Sequence, residues 1–235
     1  MILGMVSIKG WLDMSYLRAC VSIAVAMSLS VIIGAGCDMG PKRIKPPSVN
    51  SAAAARAAID QYDTDKNGQI AGEELDKCPA LKSLWSELAA RSRGGGEQLP
   101  RSGASKNAAD KPEGITAEML QSVIGDWLQM RIGRVTYTCQ LTRNGRPLGG
   151  AAIRFVPEKF MGAGYPVAEG VTDLSGCGQM SIPGVTPEGI AVGFYRVEIT
   201  KDGENIPAKY NTESTLGVAV IHAVSGVGAA FNLKY

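Results

Sequence analysis

Residues Asp63 to Glu74 read DTDKNGQIAGEE, a twelve-residue stretch whose oxygen-bearing side chains recur at alternate positions and again at its end. Asp63, Asp65 and Asn67 fall first, third and fifth, and Glu74 falls twelfth. Gln69, in seventh place, would offer its backbone carbonyl. Ala71, in ninth, has no side-chain oxygen, so a water is expected at that vertex. A hard cation such as Ca²⁺ needs this kind of donor set, with six to eight oxygens around it and one carboxylate closing the shell through both its oxygens. Gly68 stands sixth, where the chain has to turn sharply. Ile70, eighth, is the apolar residue expected to pair with a second loop. The plainer reading of an Asp-x-Asx-Gly cluster is a solvated turn ahead of a helix. The complete spacing favours the cation, and Ca²⁺ is the expected ligand.

Two helices must position such a loop. Asn50–Tyr62 is rich in alanine and should form an entering helix. Glu73–Leu88 has the spacing of an exiting helix, interrupted at Pro79. Loop and flanks together resemble an EF-hand over about thirty residues and depart from its pattern only at Ala71. Such hands usually come in pairs. Ser92–Lys111 is dense in Gly, Ser, Arg and Lys and reads as a flexible loop. Gly114–Leu120 then echoes the calcium stretch loosely. With Ile115 set against Ile70, Ala108, Pro112 and Met119 fall at ligand positions and cannot serve as ligands. An amphipathic helix should follow over 116–130, through Leu120, Val123, Trp127 and Leu128. The expectation is a helical unit over 50–130 whose degenerate second hand packs on the first, with Ile115 opposite Ile70 and one cation bound.

From Gly133 the texture changes to short β-branched and aromatic runs between Gly, Pro and Asn. Strands are expected near 135–141, 152–156, 170–172, 179–182, 195–200, 216–221 and 229–233, with a tight hairpin at Asn144-Gly145. About seven strands in a hundred residues argue an antiparallel sandwich over 131–235, and hence an α+β chain. Tyr195, Val197 and Ile199 share one strand face, opposite Phe194, Arg196 and Glu198. Phe155 and Phe231 are further core candidates. Four phrases carry a resemblance: 144–157 (NGRPLGGAAIRFVP), 172–176 (TDLSG), 193–199 (GFYRVEI) and 206–216 (IPAKYNTESTL). In this order they resemble carboxypeptidase-regulatory-like domains of transthyretin-like fold, joined to an EF-hand in a group of bacterial envelope lipoproteins. The resemblance covers most of 37–235. It implies a fold and a location, and no catalytic residues.

The first 36 residues read as a secretory leader. Lys9 and Arg18 precede an apolar run over 19–33, and Gly34-Ala35-Gly36 stands before Cys37. The run is short for a membrane span, and Met14 would give a leader of more ordinary length. The small residues before Cys37 resemble a lipobox, which implies a lipid on Cys37 and a bilayer anchor on the outer side of a bacterial membrane; plain secretion is the alternative. The prolines and cations of 37–49 read as an extended tether. The chain carries 24 Lys+Arg against 22 Asp+Glu, without the basic patch that nucleic acid requires. Five cysteines are present. Of Cys78, Cys139 and Cys177, the last two share a domain and form the favoured disulfide, with three buried thiols as the alternative.

Chemistry beyond the cation is hard to assemble. His222 is the single histidine, and a lone strand histidine is more often a packing or surface residue. No nucleophile elbow, zinc pair or phosphate loop is present in the sequence. The expected role is therefore a calcium-binding, anchored, non-enzymatic envelope protein acting structurally or through an envelope protein or glycan partner. A carbohydrate- or peptide-binding module would display exposed aromatics, with Phe160, Tyr165 and Tyr210 as candidates. The remaining alternative is an accessory subunit of a secreted hydrolase.

Overall fold

The computed structural model describes residues 44–94, 113–221 and 227–235, all within one compact unit. Helix α1 (Ser51–Tyr62) begins where the Asn50 side chain accepts a hydrogen bond from the Ala53 N–H at 3.0 Å. That satisfies one of the donors a helix start leaves free. Alanine has the highest helix propensity, and the small side chains of Ala54, Ala55 and Ala58 are buried. Strand β1 (Gln69–Ile70) is followed by α2 (Glu73–Lys77) and α3 (Pro79–Gly94). The exiting helix is thus two helices, broken at Cys78 because proline restricts the residue before it. Strand β2 (Ile115–Thr116) leads into α4 (Ala117–Met130), capped by the Thr116 hydroxyl. The expected flexible loop lies outside the described residues, except that α3 continues through its first residues, to Gly94.

The remaining strands are β3 (Tyr137–Arg143), β4 (Arg146–Pro147), β5 (Ala152–Pro157), β6 (Ala168–Val171), β7 (Cys177–Met180), β8 (Gly193–Thr200), β9 (Gly217–Val220) and β10 (Val227–Leu233). They form two four-stranded sheets, so the chain is α+β. One sheet has the order β6-β5-β8-β9, all antiparallel. In the other, β3 pairs with β4 and β7 along one edge and with β10 along the other. The β3–β10 pairing is parallel, which corrects the expectation of a wholly antiparallel sandwich. Strand alternation records which residues face inward but not the direction of the neighbouring strand.

At the β3–β4 hairpin, Asn144 and Gly145 take φ of 50° and 80°. Positive values at both central positions match the right-handed twist of the strands they join. The sheets face each other through Tyr137 and Phe155, whose ring centroids lie 5.9 Å apart, and Phe155 meets Tyr195 at 5.7 Å. Tyr195, Val197 and Ile199 fill this inner core. The outer face of β8 is covered as well, since Phe194 packs on Trp127 of α4 at 5.0 Å and on Phe160 at 5.6 Å. Helices, one sheet and a second sheet therefore form three layers around a continuous core. Helix α3 lies along β9, close enough that a Cβ on Gly217 would stand 2.3 Å from the Ala80 nitrogen. The tether expected over 37–49 is laid against the body from Ile44 on, whose carbonyl closes on Gly133.

Candidate metal centre

The stretch expected to bind the cation runs from the end of α1 into α2. Asp63 donates its backbone N–H to the Ile59 carbonyl at 2.9 Å and so ends the first helix. Lys66 (φ 59°) and Gly68 (φ 84°) then reverse the chain. Around this reversal the carboxylates accept backbone N–H groups. Asp63 accepts from Asn67 at 3.1 Å and from Gly68 at 2.8 Å. Asp65 accepts from the Asn67 backbone at 3.1 Å and from its side-chain amide at 2.8 Å. The Asn67 amide oxygen accepts from the Gln69 N–H at 2.8 Å. Gln69 pairs with Thr116 in the short β1–β2 ladder, and its side-chain oxygen is buried without a hydrogen-bond partner.

Glu74 sits in the first turn of α2, and its carboxylate returns across the loop. One oxygen accepts from the Thr64 N–H at 2.6 Å, the Thr64 hydroxyl at 2.7 Å and the Asp65 N–H at 3.3 Å. The other accepts from the Ala71 N–H at 3.3 Å. The Thr64 hydroxyl bond, aided by the backbone donors and opposed by desolvation, holds this carboxyl down at about 2. One carboxylate oxygen from each of Asp63, Asp65 and Glu74 lies within 4.8 Å of the others, a group that could hold a metal ion. Glu74 is buried, Asp63 half-buried, and Asp65 and Asn67 exposed, so the cluster is closed on the body side and open to solvent on the other.

The flanks of the loop are held by the sandwich. Tyr62, directly before Asp63, is buried, and its hydroxyl donates to Glu158 Oε2 at 2.8 Å. Burial, then Cys78 and Glu158, keep this phenol above its ordinary range. Glu158 is itself buried, and Arg196 of β8 stands 3.6 Å from its Oε1. Arg196 also donates to the carbonyls of Lys77, at the end of α2, and Ser214, at 3.0 and 3.1 Å. Sequence reasoning did not reach Thr64, Glu158 or Arg196 as parts of this site. Thr64 has a local signal, a hydroxyl next to a ligand position. Glu158 and Arg196 have none, since only the tertiary fold brings them to the loop.

Other expected residues divide clearly. Cys37 and His222 lie outside the described residues. Cys78, Cys139 and Cys177 are free thiols. The favoured Cys139–Cys177 disulfide is corrected by register, because Cys177 lies opposite Gln140 while Cys139 lies opposite Gly178. Neighbouring positions along a strand point to opposite faces. Cys139 is buried, and Cys177 donates to the Gln140 amide oxygen at 2.8 Å. Phe160 and Tyr210 are buried. Tyr165 is half-buried with its hydroxyl on the Val192 carbonyl. These three do not form an exposed aromatic platform.

No family model matches this chain, and comparison with curated proteins and with solved structures finds no significant match.

Proposed function

We propose that the chain binds one Ca²⁺ in the Asp63–Glu74 loop and serves as an anchored, non-enzymatic protein of a bacterial envelope, with a structural or interaction role. The observation that carries the reading is the convergence of the Asp63, Asp65 and Glu74 carboxylates within 4.8 Å on a stretch that also has the ligand spacing of a calcium loop. The donor set is oxygen throughout, which suits a hard cation and disfavours softer metals. Asp63, Asp65, Asn67 and Glu74 would hold the ion through side-chain oxygens and Gln69 through its backbone carbonyl. The ion would supply the positive charge that offsets the mutual repulsion of the carboxylates.

The short ladder that sets Ile70 opposite Ile115 supports reading 50–130 as a paired EF-hand unit with a degenerate second hand. The two facing four-stranded sheets support the transthyretin-like reading of 131–235. Three carboxylates and a solvent-open side support an affinity in the weak range of extracellular modules, at Kd of about 10⁻⁴–10⁻³ M. Such a site stays filled where calcium is plentiful, so the ion acts as a structural part. Anchoring through a lipid on Cys37 would hold the body at a bilayer.

Calorimetric titration of the full chain in detergent with CaCl₂ tests the ion. One ion per chain is expected, with the heat lost in Glu74→Gln. Equal heats in the two proteins would sink the reading. Mass spectrometry of the peptide carrying Cys37 tests the anchor, with an unmodified thiol as the adverse result.

A further inference from the structure

The calcium loop brings three carboxylates together, and like charges at such spacing push apart. Hydrogen bonds from Thr64 and Asp65 to the Glu74 carboxylate tie the two ends of the loop to each other. The flanks beyond those ends are held a second time, from outside the loop. Tyr62 enters the loop and donates to Glu158, and the carbonyl of Lys77, three residues after Glu74, accepts from Arg196. Glu158 and Arg196 face each other and belong to the sandwich, one just after β5 and the other in β8. A single acid–base pair thus grips both flanks. Tyr62 and Glu158 are both buried, so their half of the grip is shielded from competing water, while the Arg196–Lys77 bond is exposed.

We propose that the Glu158–Arg196 pair sets the calcium affinity of the loop, by holding its two flanks at the separation at which the carboxylates converge. This deepens the calcium reading and rests on it. The physical cause is preorganisation: a loop already closed gives up less conformational freedom when the ion arrives. Linkage makes the effect reciprocal. Whatever the sandwich contributes to ion binding, the ion returns to the sandwich as stability.

The test is calorimetry of the full chain with CaCl₂, on the wild type, Arg196→Met and Tyr62→Phe. Tyr62→Phe removes one hydroxyl and keeps the ring against Phe160, so it serves if Arg196→Met fails to fold. Arg154→Met is the control. Arg154 belongs to the same sheet, and its bonds run to Glu169 and Glu198. Calcium should bind Arg196→Met or Tyr62→Phe on the order of tenfold more weakly, a typical size for coupling between sites, and Arg154→Met as the wild type does. In urea, calcium should raise the unfolding midpoint of the wild type more than that of either junction variant. Wild-type affinity in a folded Tyr62→Phe or Arg196→Met overturns this inference and leaves the calcium reading intact. Absence of heat with the wild type overturns the calcium reading, and this inference with it.

Discussion

Ile70 lies opposite Ile115 in a two-residue antiparallel ladder, and neither side chain is reached by solvent. The pair joins the Asp63–Glu74 loop to the segment that opens α4. Through this contact each segment supports the other.

Ile115→Ala should lower unfolding stability by about 2–5 kcal/mol, the usual cost of emptying a buried site of this size, whereas Ile115→Val should cost about 0.5–1.5 kcal/mol. Urea unfolding monitored by tryptophan fluorescence measures both. A loss for Ile115→Ala no greater than for Ile115→Val would show that the ladder does not support the core.

Thr64→Val removes the hydroxyl that does most to depress the Glu74 carboxyl. In calcium-free protein the Glu74 titration should move from about 2 toward the ordinary value of about 4.3, while Thr64→Ser should keep it low. A depressed carboxyl stabilises the fold above the unfolded value, and that contribution is lost as pH falls through the folded one. Acid unfolding of Thr64→Val should therefore be less steep below about pH 4. Carboxyl resonances followed by NMR decide it, and an unmoved Glu74 titration in Thr64→Val speaks against the assigned cause.

Burial pushes the Cys78 and Cys139 thiols up to about 12. An unfolded thiol ionises near about 8.5, so between these values the unfolded chain has released protons that the folded chain retains. Stability must then fall as pH rises, by up to about 1.4 kcal/mol per pH unit for each thiol. The buried phenols Tyr62, Tyr137 and Tyr195 act in the same direction at higher pH. Urea midpoints between about pH 7 and about pH 10 should decline, and a flat profile would contradict the burial of these groups.

Gly217→Ala places a Cβ 2.3 Å from the Ala80 nitrogen, in backbone that cannot move aside cheaply. The expected cost is about 1–3 kcal/mol, read as a lowered melting temperature. Wild-type stability would mean that α3 does not press on β9 so closely.

Features encoded locally could be read before the fold was known. The Asp63–Glu74 loop is one, because its oxygen-bearing side chains and its turning glycine sit within twelve residues. The hairpin at Asn144-Gly145 is another, since positive φ at both positions favours few other residue pairs. Alternation separated Tyr195, Val197 and Ile199 from Phe194, Arg196 and Glu198, but did not tell which set would face inward. What alternation hid was the burial of Phe194, which depends on Trp127 and Phe160 arriving from distant segments. The grip of Glu158 and Arg196 was hidden for the same reason. Cysteine count suggested a bridge between Cys139 and Cys177, and a register of one residue forbids it.

The parallel pairing of β3 with β10 also bears on the order of folding events. Thr142 and Phe231 meet across 89 residues of chain. Until β10 docks, β3 has one unsatisfied edge, and the sheet it belongs to stays incomplete. Closing so long a segment is entropically costly and slows folding. The folding chain therefore passes through a stage in which an open strand is available to a chaperone, or to a neighbouring copy, before β10 occupies it.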